Sequence, residues 1–167
     1  LERATADYMG MIATVMNAIA LQDAMRQANV EAKVQSAIRI DQIVEPYMRQ
    51  KAMRYLLEKK IIIFAAGTGN PFFTTDTAAA LRAVEMEAEV LLKGSHSGTD
   101  GIYTADPRIE SDAQKIDQIS HIEVIKQGLQ PMDSTAITLC MDNHLPIVMF
   151  DLMSSGNVRS ILAGEPV

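Results

Sequence analysis

Apolar residues recur along the chain at helical spacing, and one stretch of this kind is unusually long. No charged residue occurs between Asp7 and Asp23, and the apolar positions there recur as on one helical face, which predicts a long helix. This helix is apolar around most of its circumference, so two interpretations stay open: it is buried in the domain, or it packs on a partner subunit. Further helices are predicted over residues 47–60, 76–87 and 134–141, and a short last helix begins at Gly156.

Short continuous apolar runs predict strands that are buried on both faces, which is typical of parallel sheets. Residues 61–66, 90–92 and 146–150 form such runs, and the alternating residues 34–40 predict one more strand. Glu45 and Pro46 separate that strand from the next helix. Strands that alternate with helices in this way predict an α/β domain with a mainly parallel sheet.

The composition fits one soluble globular domain over residues 1–167. The chain has 167 residues, of which 48% are apolar and 22% charged. No uninterrupted apolar run reaches the roughly 18 residues of a membrane span, and the opening residues lack the pattern of a secretory signal. We therefore expect a cytoplasmic protein without a membrane partner. The single cysteine, Cys140, lies in an apolar run and is expected to be buried.

The net charge restricts the class of ligand. The 15 Lys and Arg residues against 21 Asp and Glu give a formal charge of -6, which argues against nonspecific binding to nucleic acid. A phosphate group must therefore be held by local donors. The three histidines, His96, His121 and His144, are scattered, so the sequence predicts no metal site. Neither a P-loop nor a dinucleotide-binding glycine motif occurs.

The loop formed by residues 67–76 is the strongest candidate for a binding site. It follows a predicted buried strand and precedes a helix, which is where ligands bind in open α/β sheets. Two glycines allow close approach of a ligand, and Thr74 and Thr75 offer hydroxyl groups at a helix N-terminus that favours anions. Asp76 either orients a metal ion, a hydroxyl group or a lysine, or, as Thr75 also could, simply caps the helix.

This loop resembles the signature of bacterial-type UMP kinases, which belong to the amino-acid kinase superfamily. Three other segments resemble that family in the same order along the chain. Residues 3–11 are similar to the segment that leads into its long helix, residues 100–107 to its ATP-side loop, and residues 132–136 to the start of a later helix. The resemblance runs along nearly the whole chain.

The resemblance implies a three-layer sandwich around a mainly parallel sheet. It also implies transfer of the γ-phosphoryl group of ATP to UMP, giving UDP in pyrimidine nucleotide biosynthesis, with Mg²⁺ accompanying ATP. A homohexamer that GTP activates and UTP inhibits is implied as well.

The resemblance also assigns roles to individual residues. Asp7 would bind UMP at the ribose, Asp76 would assist phosphoryl transfer, and Thr75 would face the phosphate of UMP. Ser95, Tyr103 and Asp106 would bind ATP. The complete set of residues expected to bind UMP is Asp7, Thr68, Gly69, Asn70, Pro71, Phe72, Phe73, Thr74 and Thr75.

Two departures from the family pattern bear on function. Residues 94–99 are longer than the usual link, and the family's first strand, with its catalytic lysine and glycine-rich loop, belongs upstream of Leu1. We therefore expect this chain to be the larger C-terminal part of a kinase and to be inactive alone; Lys93 matches the lysine in residue type only. The alternatives are a kinase of the same superfamily acting on a carboxylate or carbamate, and a noncatalytic nucleotide-binding or oxyanion-storage relative.

Overall fold

The computed structural model describes residues 1–96, 100–105 and 107–165. The chain divides into two compact units, Leu1–Glu87 and Ala88–Val167. The elements of the first unit are α1 (Arg3–Gln27), β1 (Ala32–Ser36), β2 (Glu45–Pro46), α2 (Arg49–Leu57), β3 (Ile61–Ala65) and α3 (Thr75–Glu85). The three strands form a parallel sheet with strand order β2-β1-β3.

The core of the first unit lies between α1 and the sheet. Met11, Val15 and Ala18 are buried at the i, i+4 and i+7 spacing of one helical stripe, and they pack with Val34 of β1 and Ala65 of β3. The two strands pair in parallel over their full length, from Ala32 opposite Ile61 onward. This pairing places the carboxyl ends of β1 and β3 side by side, where the 67–76 loop begins.

The opposite face of α1 is apolar and exposed. Met9, Ile12 and Met16 expose about half or more of their surface within this chain. By length and composition alone α1 could cross a membrane, and 17% of its most apolar window is buried inside the chain. One such helix is weak evidence for a span, because the core helix of a soluble protein has the same composition. The buried stripe on β1 and β3 shows that α1 is part of the folded unit.

The second unit contains two small sheets. β4 and β7 pair in parallel, and β5 and β6 form an antiparallel hairpin. Asp133 caps α5 by accepting a hydrogen bond from the Ala136 N–H at 3.0 Å, and Cys140 of α5 is fully buried, as expected. The elements are β4 (Leu91–Ser95), β5 (Ile102–Tyr103), β6 (Lys115–Ile116), α4 (His121–Lys126), α5 (Ser134–Asp142), β7 (Ile147–Asp151) and α6 (Asn157–Ala163).

The α/β class with mainly parallel sheets is confirmed, whereas several predicted element bounds are wrong. The strand expected over residues 34–40 ends at Ser36, whose Oγ accepts a hydrogen bond from the Ile38 N–H at 3.1 Å and closes a turn. Glu45 and Pro46, expected to be a separator, form the edge strand β2, where proline is tolerated. The run 61–66 was expected to be buried on both faces, but Ile61 is exposed and its three successors are only partly buried.

One buried side-chain amide in the sheet is only partly hydrogen-bonded. Gln35 of β1 is fully buried; its Oε1 accepts a long hydrogen bond of 3.4 Å from the Met48 N–H. Within the described part of the chain its Nε2 has no hydrogen-bond partner. A buried donor without a partner costs roughly 1–3 kcal/mol.

We therefore expect Gln35→Met to raise the free energy of unfolding by up to about 1 kcal/mol, because it removes the unpaired amide at similar volume. Gln35→Glu, which buries a charge in the same space, should destabilise the protein. Urea denaturation of both variants measures the difference. A loss of stability in Gln35→Met would show instead that the hydrogen bonds of the amide, including the one it accepts from the Met48 N–H, outweigh the cost of its unpaired donor.

Candidate active site

The loop after β3 has a strained backbone. Ala66, Gly67, Gly69 and Phe72 all have positive φ angles, of 64°, 56°, 77° and 70°. Alanine and phenylalanine rarely adopt such angles, and residues of this kind persist where the surrounding structure holds them. The Ala66 N–H is held by the Thr14 hydroxyl of α1 at 2.8 Å. This hydrogen bond ties the start of the loop to α1.

Glycine is required at position 69 for a second reason. A Cβ atom there would lie 3.0 Å from the carbonyl oxygen of Ala37, the residue after β1. The next turn is closed by Thr68, whose Oγ1 accepts from the Asn70 N–H at 3.2 Å while the Asn70 side chain donates to the Thr68 carbonyl, also at 3.2 Å. The loop thus packs closely against the chain that follows β1.

Asp7 ties the loop to the first turns of α1. Its Oδ2 accepts from the Phe72 N–H at 2.8 Å, and both carboxylate oxygens accept from Arg3 Nε at 2.8 and 2.9 Å. These hydrogen bonds, with that of Phe72 first, hold the pKa of Asp7 below its usual value. The Arg3 guanidinium also lies 5.8 Å from the centroid of the exposed Phe72 ring. A carboxylate that is ionised at neutral pH therefore borders the loop.

The N-terminus of α3 directly follows this loop in the first unit. Thr74 is the N-cap, because its Oγ1 accepts from the Thr77 N–H at 3.2 Å. The interpretation of Thr75 or Asp76 as the cap is therefore wrong. Thr75 is the first helical residue and is exposed, and Asp76 follows in the first turn, partly buried. The structure thus brings Asp7, the loop and the start of α3 together within the first unit.

The second unit contains a cavity of about 770 Å³, a size typical of small-molecule sites. Ser95, the last residue of β4, and Tyr103 of β5 both line it, so the structure brings together two of the three residues expected to bind ATP. The third, Asp106, lies outside the described residues, as do residues 97–99 of the lengthened link.

Cationic residues line this cavity in an otherwise acidic chain. Among the lining residues that the structure describes, Lys93 and Arg108 are cationic, Glu110 carries a carboxylate, and His96 lies beside them. No sequence motif marks Arg108, which directly follows the 100–107 segment, or residues 127–131, which the fold brings to the cavity from a more distant part of the chain. The local balance of charge favours an anionic ligand.

Neither unit shows a cluster of metal ligands: residues 1–96, 100–105 and 107–165 contain no group of three or more His, Cys, Asp or Glu side chains that could hold a metal ion. Protein sites for Mg²⁺ often supply only one or two carboxylates, and phosphate oxygens of the substrate provide the rest. Asp76, in the first turn of α3, is a carboxylate of this kind. The described residues therefore fit a magnesium ion that is carried by a nucleotide.

Comparison with known proteins identifies the family. Residues 1–151 match the model of the amino acid kinase family. The chain belongs to the amino acid kinase family. As in other members of this family, the chain is a mixed α/β structure with mainly parallel sheets.

Among solved structures, this amino acid kinase chain is similar to UMP kinases. It is 36% identical to UMP kinase from Ureaplasma parvum, with a TM-score of 0.94 over 99% of this chain and 70% of that one. UMP kinase from Bacillus anthracis is 33% identical, with a TM-score of 0.95 over 99% of this chain and 68% of that one. Uridylate kinase from Archaeoglobus fulgidus is 25% identical, with a TM-score of 0.72 over 100% and 72%.

Proposed function

We propose that this kinase transfers the γ-phosphoryl group of ATP to UMP and forms UDP. The observation that carries the proposal is the loop of residues 67–74, which has positive φ angles at Gly67, Gly69 and Phe72 and runs from the end of β3, through a hydrogen bond to the Asp7 carboxylate, to the capped start of α3. The similarity to UMP kinases along 99% of the chain supports the choice of substrate. The residue roles below are part of the same proposal.

The first unit binds UMP in this proposal. Asp7 accepts a hydrogen bond from a ribose hydroxyl. An ionised carboxylate can accept about four hydrogen bonds, so those from Arg3 and Phe72 leave a lone pair available for the ribose. The rigid backbone of residues 68–73 forms the wall around the rest of the nucleoside. Thr75 donates to the phosphate, and the N-terminal N–H groups of α3 favour the negative charge there.

The second unit binds ATP in this proposal. The cavity beside Ser95 and Tyr103 accommodates the nucleotide, and Lys93 and Arg108 offset the charge of its phosphates. Mg²⁺ bound to ATP would supply neutralisation of the charge on the phosphates. Asp76 acts at the transferred group by orienting the attacking phosphate or the magnesium ion. Phosphoryl transfer depends mostly on positioning and charge neutralisation, which these residues can supply.

Further properties belong to the same proposal. We propose a cytoplasmic homohexamer in pyrimidine nucleotide biosynthesis, activated by GTP and inhibited by UTP. The exposed apolar face of α1 is compatible with a contact between subunits.

The decisive experiment is a coupled assay of the full-length protein with ATP, Mg²⁺ and, in turn, UMP, CMP or AMP. We expect kcat/KM for UMP to exceed that for CMP and AMP about 100-fold or more, because a site that hydrogen-bonds one base leaves polar groups unpaired with another. Equal rates with CMP would contradict the specificity. Binding of both nucleotides without any turnover would favour the noncatalytic nucleotide-binding relative instead.

A further inference from the structure

A side-chain cluster behind the cavity of the second unit holds one of its walls in place. Tyr103 lines the cavity, and its phenol hydroxyl donates to Asp100 Oδ1 at 2.6 Å. Lys115 Nζ donates to the other oxygen of the same carboxylate at 2.9 Å. The described residues that line the cavity do not include Asp100 or Lys115. The two residues therefore contact the wall and not the space inside it.

The β5–β6 hairpin fixes this arrangement from the backbone. Tyr103 and Lys115 are paired directly in its register, and the pairing is continued by the Thr104 N–H, which donates to the Gln114 carbonyl at 3.0 Å. A Cβ atom on Gly101 would lie 2.8 Å from Lys115 Cε, so glycine makes room for the lysine stem. Backbone pairing and close packing thus both direct Lys115 to Asp100.

We propose that Asp100 and Lys115 are positioning residues that hold the Tyr103 ring for ATP and thereby set the affinity for this nucleotide. The inference rests on the proposed function. Asp100 accepts from the phenol, and this bond fixes a ring that would otherwise have to be ordered when ATP binds. Lys115 compensates the carboxylate, whose uncompensated charge would repel an anionic nucleotide.

The electrostatics of the cluster agree with this role. The hydrogen bonds from Tyr103 and Lys115 lower the pKa of Asp100, so the carboxylate is ionised at neutral pH. The hydrogen bond to Asp100 raises the pKa of Tyr103, so the phenol keeps the proton that it donates. The side chains of Asp100 and Lys115 are 48% and 34% exposed. An exposed pair of this kind contributes little to stability. A change in ATP affinity on its removal would therefore reflect a positioning role and not a loss of folded protein.

The test compares Tyr103→Phe, Asp100→Ala and their double variant in the full-length protein; alanine is chosen because it has no oxygen that could still accept from the phenol. Each change should raise KM for ATP about 3- to 10-fold, the effect of releasing one immobilised side chain, with KM for UMP unchanged. The double variant should match the single variants, because both remove the same bond. Lys115→Met should raise KM for ATP as well, and Lys115→Arg should restore it. Lys126→Met, which breaks the exposed pair with Glu123 in α4, is the matched control and should change neither KM.

Three results would overturn the inference: an unchanged KM for ATP in both single variants, additive effects in the double variant, or an equal rise in KM for UMP. Calorimetric titration with ATP separates this inference from the proposed function. If the wild-type protein binds ATP but phosphorylates no UMP, the proposed function fails, and the dissociation constants of the variants still test the cluster.

Discussion

Asp76→Asn is expected to lower kcat for UMP phosphorylation about 100-fold or more while the protein stays folded, because loss of one group that stabilises the charge of the transition state typically has this effect. Asparagine keeps the size of the side chain and removes its charge. The α3 cap does not depend on this residue, since Thr74 supplies it. The loss of stability should therefore stay below about 1 kcal/mol, which is the usual contribution of an acidic residue in the first turn of a helix.

A matched variant, Ser120→Ala, is expected to show the opposite pattern, with reduced stability and normal turnover. Ser120 caps α4 by accepting from the Glu123 N–H at 3.3 Å, and no role in substrate binding is proposed for it. Ser120→Ala should cost about 1 kcal/mol of stability and leave turnover per folded molecule unchanged. Steady-state kinetics and urea denaturation of the two variants provide the comparison. Asp76→Asn with normal turnover and reduced stability would show that this carboxylate serves only the helix.

The sequence predicted the elements that a local pattern defines. The 61–66 run, the long apolar helix and the start of α5 at Ser134 all correspond to observed elements, because apolar spacing and a capping residue mark them. β2, β5 and β6 were missed, since each has two residues and forms only through pairing with a distant segment. Two residues carry no periodicity that a sequence pattern can reveal.

The candidate site shows the same division between local and distant information. The loop of residues 67–76 was found from its glycines and hydroxyl groups beside a strand. The hydrogen bond from the Phe72 N–H to Asp7 joins residues 65 positions apart, so only the folded chain shows why these two segments act together. The N-cap was predicted at Thr75 or Asp76 and lies at Thr74, because Thr and Asp side chains can all adopt the capping geometry and the sequence alone does not distinguish between neighbouring positions.

A buried cation near the other end of α3 is expected to have the largest effect on stability. Arg82 is 8% exposed, its guanidinium lies 3.6 Å from the centroid of the Tyr47 ring, and it forms an ion pair with Glu85. The Tyr47 hydroxyl donates to the same carboxylate at 2.6 Å. Burial, followed by this hydrogen bond, raises the pKa of Tyr47 to about 12, so the phenol stays a donor at neutral pH. The cluster is completed by Arg49 of α2, whose Nε donates to the Glu85 carbonyl at 2.6 Å.

Arg82→Met should lower the free energy of unfolding by about 3 kcal/mol, because it leaves the Glu85 carboxylate partly buried without its cation. Adding Glu85→Gln should recover part of this loss, since the uncompensated charge is then gone. The exposed pair of Lys126 and Glu123 provides the control, and Lys126→Met should change stability little. Urea denaturation measures the free energy of unfolding of the wild-type protein, Arg82→Met, the double variant and Lys126→Met. If the double variant were no more stable than Arg82→Met, the cost would lie in lost stacking on Tyr47 and not in an unpaired charge, and the ion pair within α3 would contribute nothing to stability.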